Sequence, residues 1–330
     1  MLQRIWYGNR WLGLPLLPFS FLFGLVSGTR RLLYLIGLKR TRRFAAPVVV
    51  VGNITVGGTG KTPLVIWLAE HLRQLGWRPG IVSRGYRGQA THWPQQVRPD
   101  SDPVMVGDEA VLLARRTGCP MCVGPRRAEA VEALLRHTDC DIVVSDDGLQ
   151  HLAMERDLEI VVIDGQRGLG NGFLLPAGPL RELSSRLRRA DLVISSGRRW
   201  KDVPSMGIRE VRLVSLRHPD LPARPLEWLA GRKVHAVAGI GNPGRFFDLL
   251  REHGIEVIPH EFADHHAYRA SDLDFEPDLP VVMTEKDAVK CLRHGRDNHW
   301  VVKIDVEPEA TFVHRLDQSL KELKNGQETA

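Results

Sequence analysis

The stretch that most limits what this chain can become is 48–62, which reads Val-Val-Val-Val-Gly-Asn-Ile-Thr-Val-Gly-Gly-Thr-Gly-Lys-Thr. Four consecutive β-branched residues, with no polar alternation, predict a strand buried on both faces, as in a parallel sheet. Gly57, Gly58 and Gly60 then free the backbone to curl around a phosphate, and Lys61 and Thr62 close the loop. Pro63 suits a first helical turn, and Leu64, Leu68 and Leu72 recur at helical spacing. Strand, glycine loop, Lys-Thr and helix together predict a phosphate-binding loop over Thr55, Val56, Gly57, Gly58, Thr59, Gly60, Lys61 and Thr62. Backbone N–H groups and the helix N-terminus face the phosphates, the lysine meets the outer ones, and the threonine hydroxyl serves Mg²⁺. One position departs from the general G-x-x-x-x-G-K-[ST] pattern: Thr55 stands where the first glycine would fall.

The rest of the chain keeps the alternation that this opening predicts. Apolar runs at 80–83, 141–146, 159–164 and 191–195 are separated by helical or loop patterns, which predicts a P-loop NTPase-like α/β domain, doubly wound on a mostly parallel sheet, over 44–205. Pro204, Pro219, Pro222 and Pro225 punctuate two short strand-like runs in the following segment, read here as a linker over 206–230. A second, smaller α/β domain over 231–330 opens with the strand pattern 233–238, continues with 281–284 and 300–304, and ends in a solvated helix near 317–324. Residues 239–244 formally read G-x-G-x-x-G between strand and helix, but Pro243 and the lack of an assignable ribose-binding acid favour a tight βα turn over an NAD site.

Charge is distributed unevenly. The formal net charge is +6, yet residues 1–43 carry eight Lys or Arg and no acid, so the remainder stands at −2 and the basic character does not argue for nucleic acid. Within that segment, 11–29 is uncharged and rich in Leu and Phe. It is just long enough to span a bilayer, although Pro15, Pro18, Gly24 and Gly28 argue against a straight helix. A secretory signal is disfavoured by the basic cluster downstream and the lack of a small-residue cleavage site, while a helical hairpin packed on the protein is the plain alternative. The favoured reading is an N-terminal membrane anchor over 1–43, spanning or lying in the interface. Four cysteines, with one isolated C-x-x-C at Cys119 and Cys122, form neither a disulfide framework nor a zinc site, which fits a reducing cytosol.

Several loops stand where open α/β sheets bind ligands, beyond the carboxyl ends of strands. Arg84 and Arg87 follow the second strand and suit an anionic substrate, or a solvated turn. Asp108 and Glu109 open a helix, where capping alone explains acids. Asp146 and Asp147 end an apolar strand, the place from which P-loop enzymes offer a carboxylate to Mg²⁺. Asp264, His265 and His266 lie in a polar, aromatic loop, and adjacent histidines seldom face one ion.

In chain order, the blocks 52–63, 83–86, 107–109, 146–151, 174–182, 264–266 and 284–287 resemble those of the tetraacyldisaccharide 4'-kinase family, the lipid A 4'-kinases, across nearly the whole chain. The resemblance implies ATP as donor and the 4'-hydroxyl of a lipid A disaccharide 1-phosphate as acceptor, at the cytoplasmic face of the inner membrane. It implies Asp108 as proton acceptor with His265 as partner, and Asp146, Asp147 and Glu182, with Thr62, around magnesium and phosphate. Thr55 is the family's own residue at that position, and no protein partner is implied. The rival from another class is a membrane-associated P-loop switch with no small-molecule acceptor. Two features count against it: 284–287 places Lys and Asp side by side where a guanine-specific switch needs [NT]-K-x-D, and Val56 stands where deviant membrane ATPases carry lysine.

Overall fold

A computed structural model describes residues 2–276 and 278–328; the expected anchor and second domain begin and end at residues just outside these limits. The strands are β1 (Val48–Gly52), β2 (Pro79–Ser83), β3 (Gln95–Val97), β4 (Met121–Val123), β5 (Ile142–Asp146), β6 (Leu158–Asp164), β7 (Leu192–Ser196), β8 (Ser205–Ser215), β9 (Arg224–Pro225), β10 (Lys233–Ala238), β11 (Glu256–Glu261), β12 (Val281–Thr284) and β13 (His299–Pro308). The α-helices are α1 (Leu2–Tyr7), α2 (Leu17–Leu35), α3 (Lys61–Gln74), α4 (Pro103–Val106), α5 (Asp108–Thr117), α6 (Arg127–His137), α7 (Pro243–Glu252), α8 (Glu285–Cys291) and α9 (Ala310–Glu328).

The strands join in one sheet ordered β3-β4-β2-β5-β1-β6-β7-β8-β13-β12-β10-β11, parallel except at β3/β4 and β8/β13, with β9 antiparallel on β8. The valines of β1 explain why it is central. Val49 and Val51 enter the core shared with α3 and α5, while Val48 and Val50 enter the core shared with α6. Each buried valine contributes about 2 kcal/mol, and both faces must be apolar.

Two expectations need correction. The stretch 206–230 is not simply a linker, because β8 runs through Ser215, pairing along most of its length with β13 and touching β7. Only the proline-rich part beyond it behaves as a connection. The terminal helix is not merely solvated. It is α9, and its Phe312, Leu316 and Leu320 are buried in the core of the first half, while Asp317 meets His71 of α3 at 2.6 Å. The end of the chain thus returns to brace the P-loop helix.

At the N-terminus, Pro18 falls in the first turn of α2, where its missing N–H is harmless, and Pro15 lies in the preceding 3₁₀ turn. The helix rises about 28 Å by its length. Ser20 Oγ donates to the Leu174 carbonyl at 2.8 Å and accepts from the Ala177 N–H at 3.0 Å, and a Cβ on Gly24 would lie 2.9 Å from Leu174. The small residues are therefore the docking side. Phe19, Phe21, Leu22, Leu25 and Val26 face outward, and Trp11–Leu35 is long and apolar enough to cross a membrane.

Candidate active site

The P-loop follows β1 as expected. Gly57 and Gly60 have φ of 112° and 83°, left-handed values that a side chain would strain. Thr55 is instead an extended, buried residue bridged to Leu180, with Val56 N–H donating to the Pro179 carbonyl at 2.8 Å and Arg181 N–H to the Ile54 carbonyl at 2.7 Å. The segment around Leu180 clamps the start of the loop, so a glycine turn is not required at position 55. Lys61 Nζ lies 3.2 Å from Asn53 Oδ1 and 3.6 Å from Asp147 Oδ1, held over the loop it serves.

Acids and bases converge beyond the strand ends. Asp146 ends β5 at 3 % exposure, accepts from Ser83 Oγ at 3.2 Å, and has its other oxygen buried without a hydrogen-bond partner. Burial, aided by Glu109 and Asp147, pushes its pKa up to about 7 against the pull of Lys61 and Arg127. Asp147 accepts from Arg181 at 3.1 Å on both oxygens; burial raises its pKa, but Lys61 and Arg181 outweigh that and hold it low. Glu182 accepts from Gln150 at 2.8 Å and pairs with Arg186 at 3.4 Å and Arg31 of α2 at 3.7 Å. Of the expected magnesium set, Asp146 is the one with a fully buried side-chain oxygen left without a partner. Among the described residues no cluster of three or more His, Cys, Asp or Glu forms a ready metal site.

Asp108 and His265, 157 positions apart, meet: His265 Nδ1 is 2.9 Å from both Asp108 oxygens. Gly107 occupies the N-cap position of α5, and Asp108, its first residue, accepts from the Glu109 N–H at 2.8 Å, so the carboxylate serves the helix start as well as His265. Burial raises the Asp108 pKa, yet the His265 hydrogen bond and the charges of Lys286, His265 and Lys290 bring it below the ordinary carboxylate value. His265 adopts φ 64°, a rare conformation for a non-glycine residue, and its neighbour His266 turns instead to Asp272 at 2.9 Å. The 239–244 loop is a βα turn: Gly239 N–H donates to Asp287 at 3.0 Å, and Gly241 faces the P-loop, where an added Cβ would lie 3.7 Å from Gly58 N.

Sequence reasoning did not assign a role to Lys286, although its block was noted. Its Nζ lies 3.0 Å from Glu109, 3.1 Å from Asp264 and 3.3 Å from His265 Nε2, and those carboxylates raise its pKa despite burial. Asn53 and Gln150 were likewise visible in the blocks but without assigned contacts. A single cleft of about 1660 Å³ runs from the P-loop past Asp146, His265 and Lys286 to the apolar flank of α2 at Phe21, Gly24 and Leu25. Asp108 lies just behind its wall.

Comparison with known proteins places the chain in a family. Residues 12–321 match the family described as tetraacyldisaccharide-1-P 4'-kinase. The tetraacyldisaccharide 4'-kinase of Nitrosococcus oceani is 52% identical over 98% of this chain and 97% of its own. That of Methylobacillus flagellatus is 50% identical over 96% of this chain and 94% of its own. The crystal structure of LpxK from Aquifex aeolicus in complex with ATP superposes with a TM-score of 0.80 at 29% identity, covering 94% of this chain and 99% of that one. The chain belongs to the tetraacyldisaccharide-1-P 4'-kinase family of enzymes.

Proposed function

We propose that this chain transfers the γ-phosphate of ATP to the 4'-hydroxyl of a lipid A disaccharide 1-phosphate, a step of lipid A biosynthesis, while anchored by residues 1–43 at the cytoplasmic face of the inner membrane. The observation that carries the reading is the cleft, which joins a nucleotide loop, an acid–histidine pair and an apolar helix flank in one space. A hydrophilic acceptor would not need the third wall. The kinase domain over 44–205 supplies the P-loop, and the smaller domain over 231–330 supplies His265 and Lys286.

In this reading Lys61 and the loop N–H groups hold the outer phosphates of ATP, with the α3 N-terminus behind them. Asp108 and His265 act as one proton acceptor for the 4'-hydroxyl, with Asp108 as the charge and His265 as its partner at the cleft wall. The lowered Asp108 pKa keeps that charge available at neutral pH. The oxygen donors suit a hard cation: Asp146 has an unpartnered buried oxygen, and Thr62 and Asp147 line the same cleft, with Glu182 beside them. These residues would hold Mg²⁺, which when bound neutralises charge on the transferring phosphate. Lys286, Arg181 and Arg84 add fixed positive charge along the path.

The test is ATP turnover by the full chain in mixed micelles containing lipid A disaccharide 1-phosphate. Acceptor-dependent turnover that disappears with a 4'-deoxy analogue is the expected result. Turnover indifferent to the acceptor would instead favour a nucleotide switch.

A further inference from the structure

The helix that carries Asp108 is gripped by the second half of the chain at both ends. At its start, Asp108 meets His265 at 2.9 Å and Lys290 of α8 at 3.6 Å, while Glu109 meets Lys286 of α8 at 3.0 Å. At its end, Arg116 Nη1 donates to both oxygens of Glu285 at 2.5 and 2.6 Å, and Nη2 donates to Asp305 of β13. Glu285 opens α8 and Lys290 lies near its end, so both ends of α8 carry ion pairs to α5. The Arg116, Glu285 and Asp305 side chains are 10%, 14% and 12% exposed, and Asp305 is also held by Arg212. Between the ends, Ala110, Leu113 and Ala114 of α5 and Val289 of α8 share an apolar cluster. Apolar contacts of that kind resist separation but tolerate sliding. A slide of about 1.5 Å, the rise of one residue, is enough to break a short hydrogen bond at Asp108.

We propose that Arg116 is a positioning residue for phosphoryl transfer, its fork on Glu285 and Asp305 fixing the register of α5 against α8 so that Asp108 meets His265, Lys286 and Lys290. The claim rests on the reading of Asp108 as proton acceptor. Arginine suits the task because its planar fork fixes angle as well as distance, which a lysine does not. The groups facing Asp108 are His265 from its loop, Lys286 and Lys290 from α8, and Glu109 from its own helix. Asp264 and Asp287 stand behind them, on Lys286 and Lys290. Loss of register removes positive neighbours from Asp108 and should raise the pH at which kcat falls on the acid side.

The test uses the full chain in detergent. Arg116→Met alone strands Glu285 as a buried charge, so the informative variant is Arg116→Met with Glu285→Met, which removes both charges and leaves Asp305 paired with Arg212. Expected are a melting temperature close to wild type, a KM for ATP within about twofold, kcat lowered roughly tenfold or more, and an acid limb shifted upward. A folded double variant with wild-type kcat and acid limb overturns the proposal. Should the double variant not fold, Arg116→Lys decides, with kcat lowered about threefold or more at unchanged KM as support and wild-type kcat as refutation. Asp108→Asn is assayed alongside, since normal turnover there would refute the proton-acceptor reading itself, and this proposal with it.

Discussion

Replacing Asp146 by asparagine gives a prediction whose size follows from the site. Asp146 is 3 % exposed, and its ionisation is opposed first by burial and then by Glu109 and Asp147, so its pKa rises from 3.8 to about 7. In the unfolded chain the same group titrates near the lower value. Between the two, the folded protein keeps a proton that the unfolded chain has lost, and folding stability therefore falls as pH rises. Below the lower value there is no penalty, and above the upper value the penalty is complete. A little over three units, at about 1.4 kcal/mol each, gives a cost of about 4 kcal/mol at pH 8. Asparagine keeps the shape and can still accept from Ser83, but it carries no charge. Without divalent cations, Asp146→Asn should match wild type near pH 4 and gain stability steadily up to about pH 7. For a chain of this size the gain in Tm at pH 8 is roughly 5–10 °C. Thermal melts of both proteins in EDTA across pH 4–8 measure it, while phosphoryl transfer by the variant should be lost. A Tm difference that is constant with pH, or a variant less stable at pH 8, would show that Asp146 is a partnered, ionised carboxylate and refute the reasoning.

Asp108→Asn should lower kcat by about 10² or more with little change in Tm, and combining it with His265→Ala should cost far less than the product of the two single losses, as measured by steady-state kinetics. Phe312→Ala should destabilise the first half by about 3–5 kcal/mol, read by urea denaturation, because α9 packs there and is not free in solvent. Deleting residues 1–43 should move the protein to the soluble fraction after high-salt washing of membranes, which leaves the full chain in the pellet.

What the sequence disclosed was local. Four valines, three glycines and a leucine spacing suffice for β1, the P-loop and α3, because burial on both faces and positive φ are properties of a few consecutive residues. The pairing of Asp108 with His265 has no local signature, and only the resemblance to a family placed them together. The strand-like runs among the prolines are visible but read as a linker, because the partner of β8, β13, begins 84 residues after β8 ends by number (Ser215 to His299), beyond the reach of any window. The buried stripe Phe312, Leu316, Leu320 was periodic, but it began before Asp317, where the helix was thought to start. Lys286 and Arg116 carry no local signature, and only the packing of α5 on α8 gives each its partners.

The most direct measurement of the central claim is transfer of label from γ-labelled ATP to lipid A disaccharide 1-phosphate in mixed micelles, comparing wild type with folded Lys61→Ala. Label at the 4' position with wild type, nearly abolished in the variant, is what the site predicts. Absence of lipid labelling by the wild type, or undiminished labelling by Lys61→Ala, would contradict it.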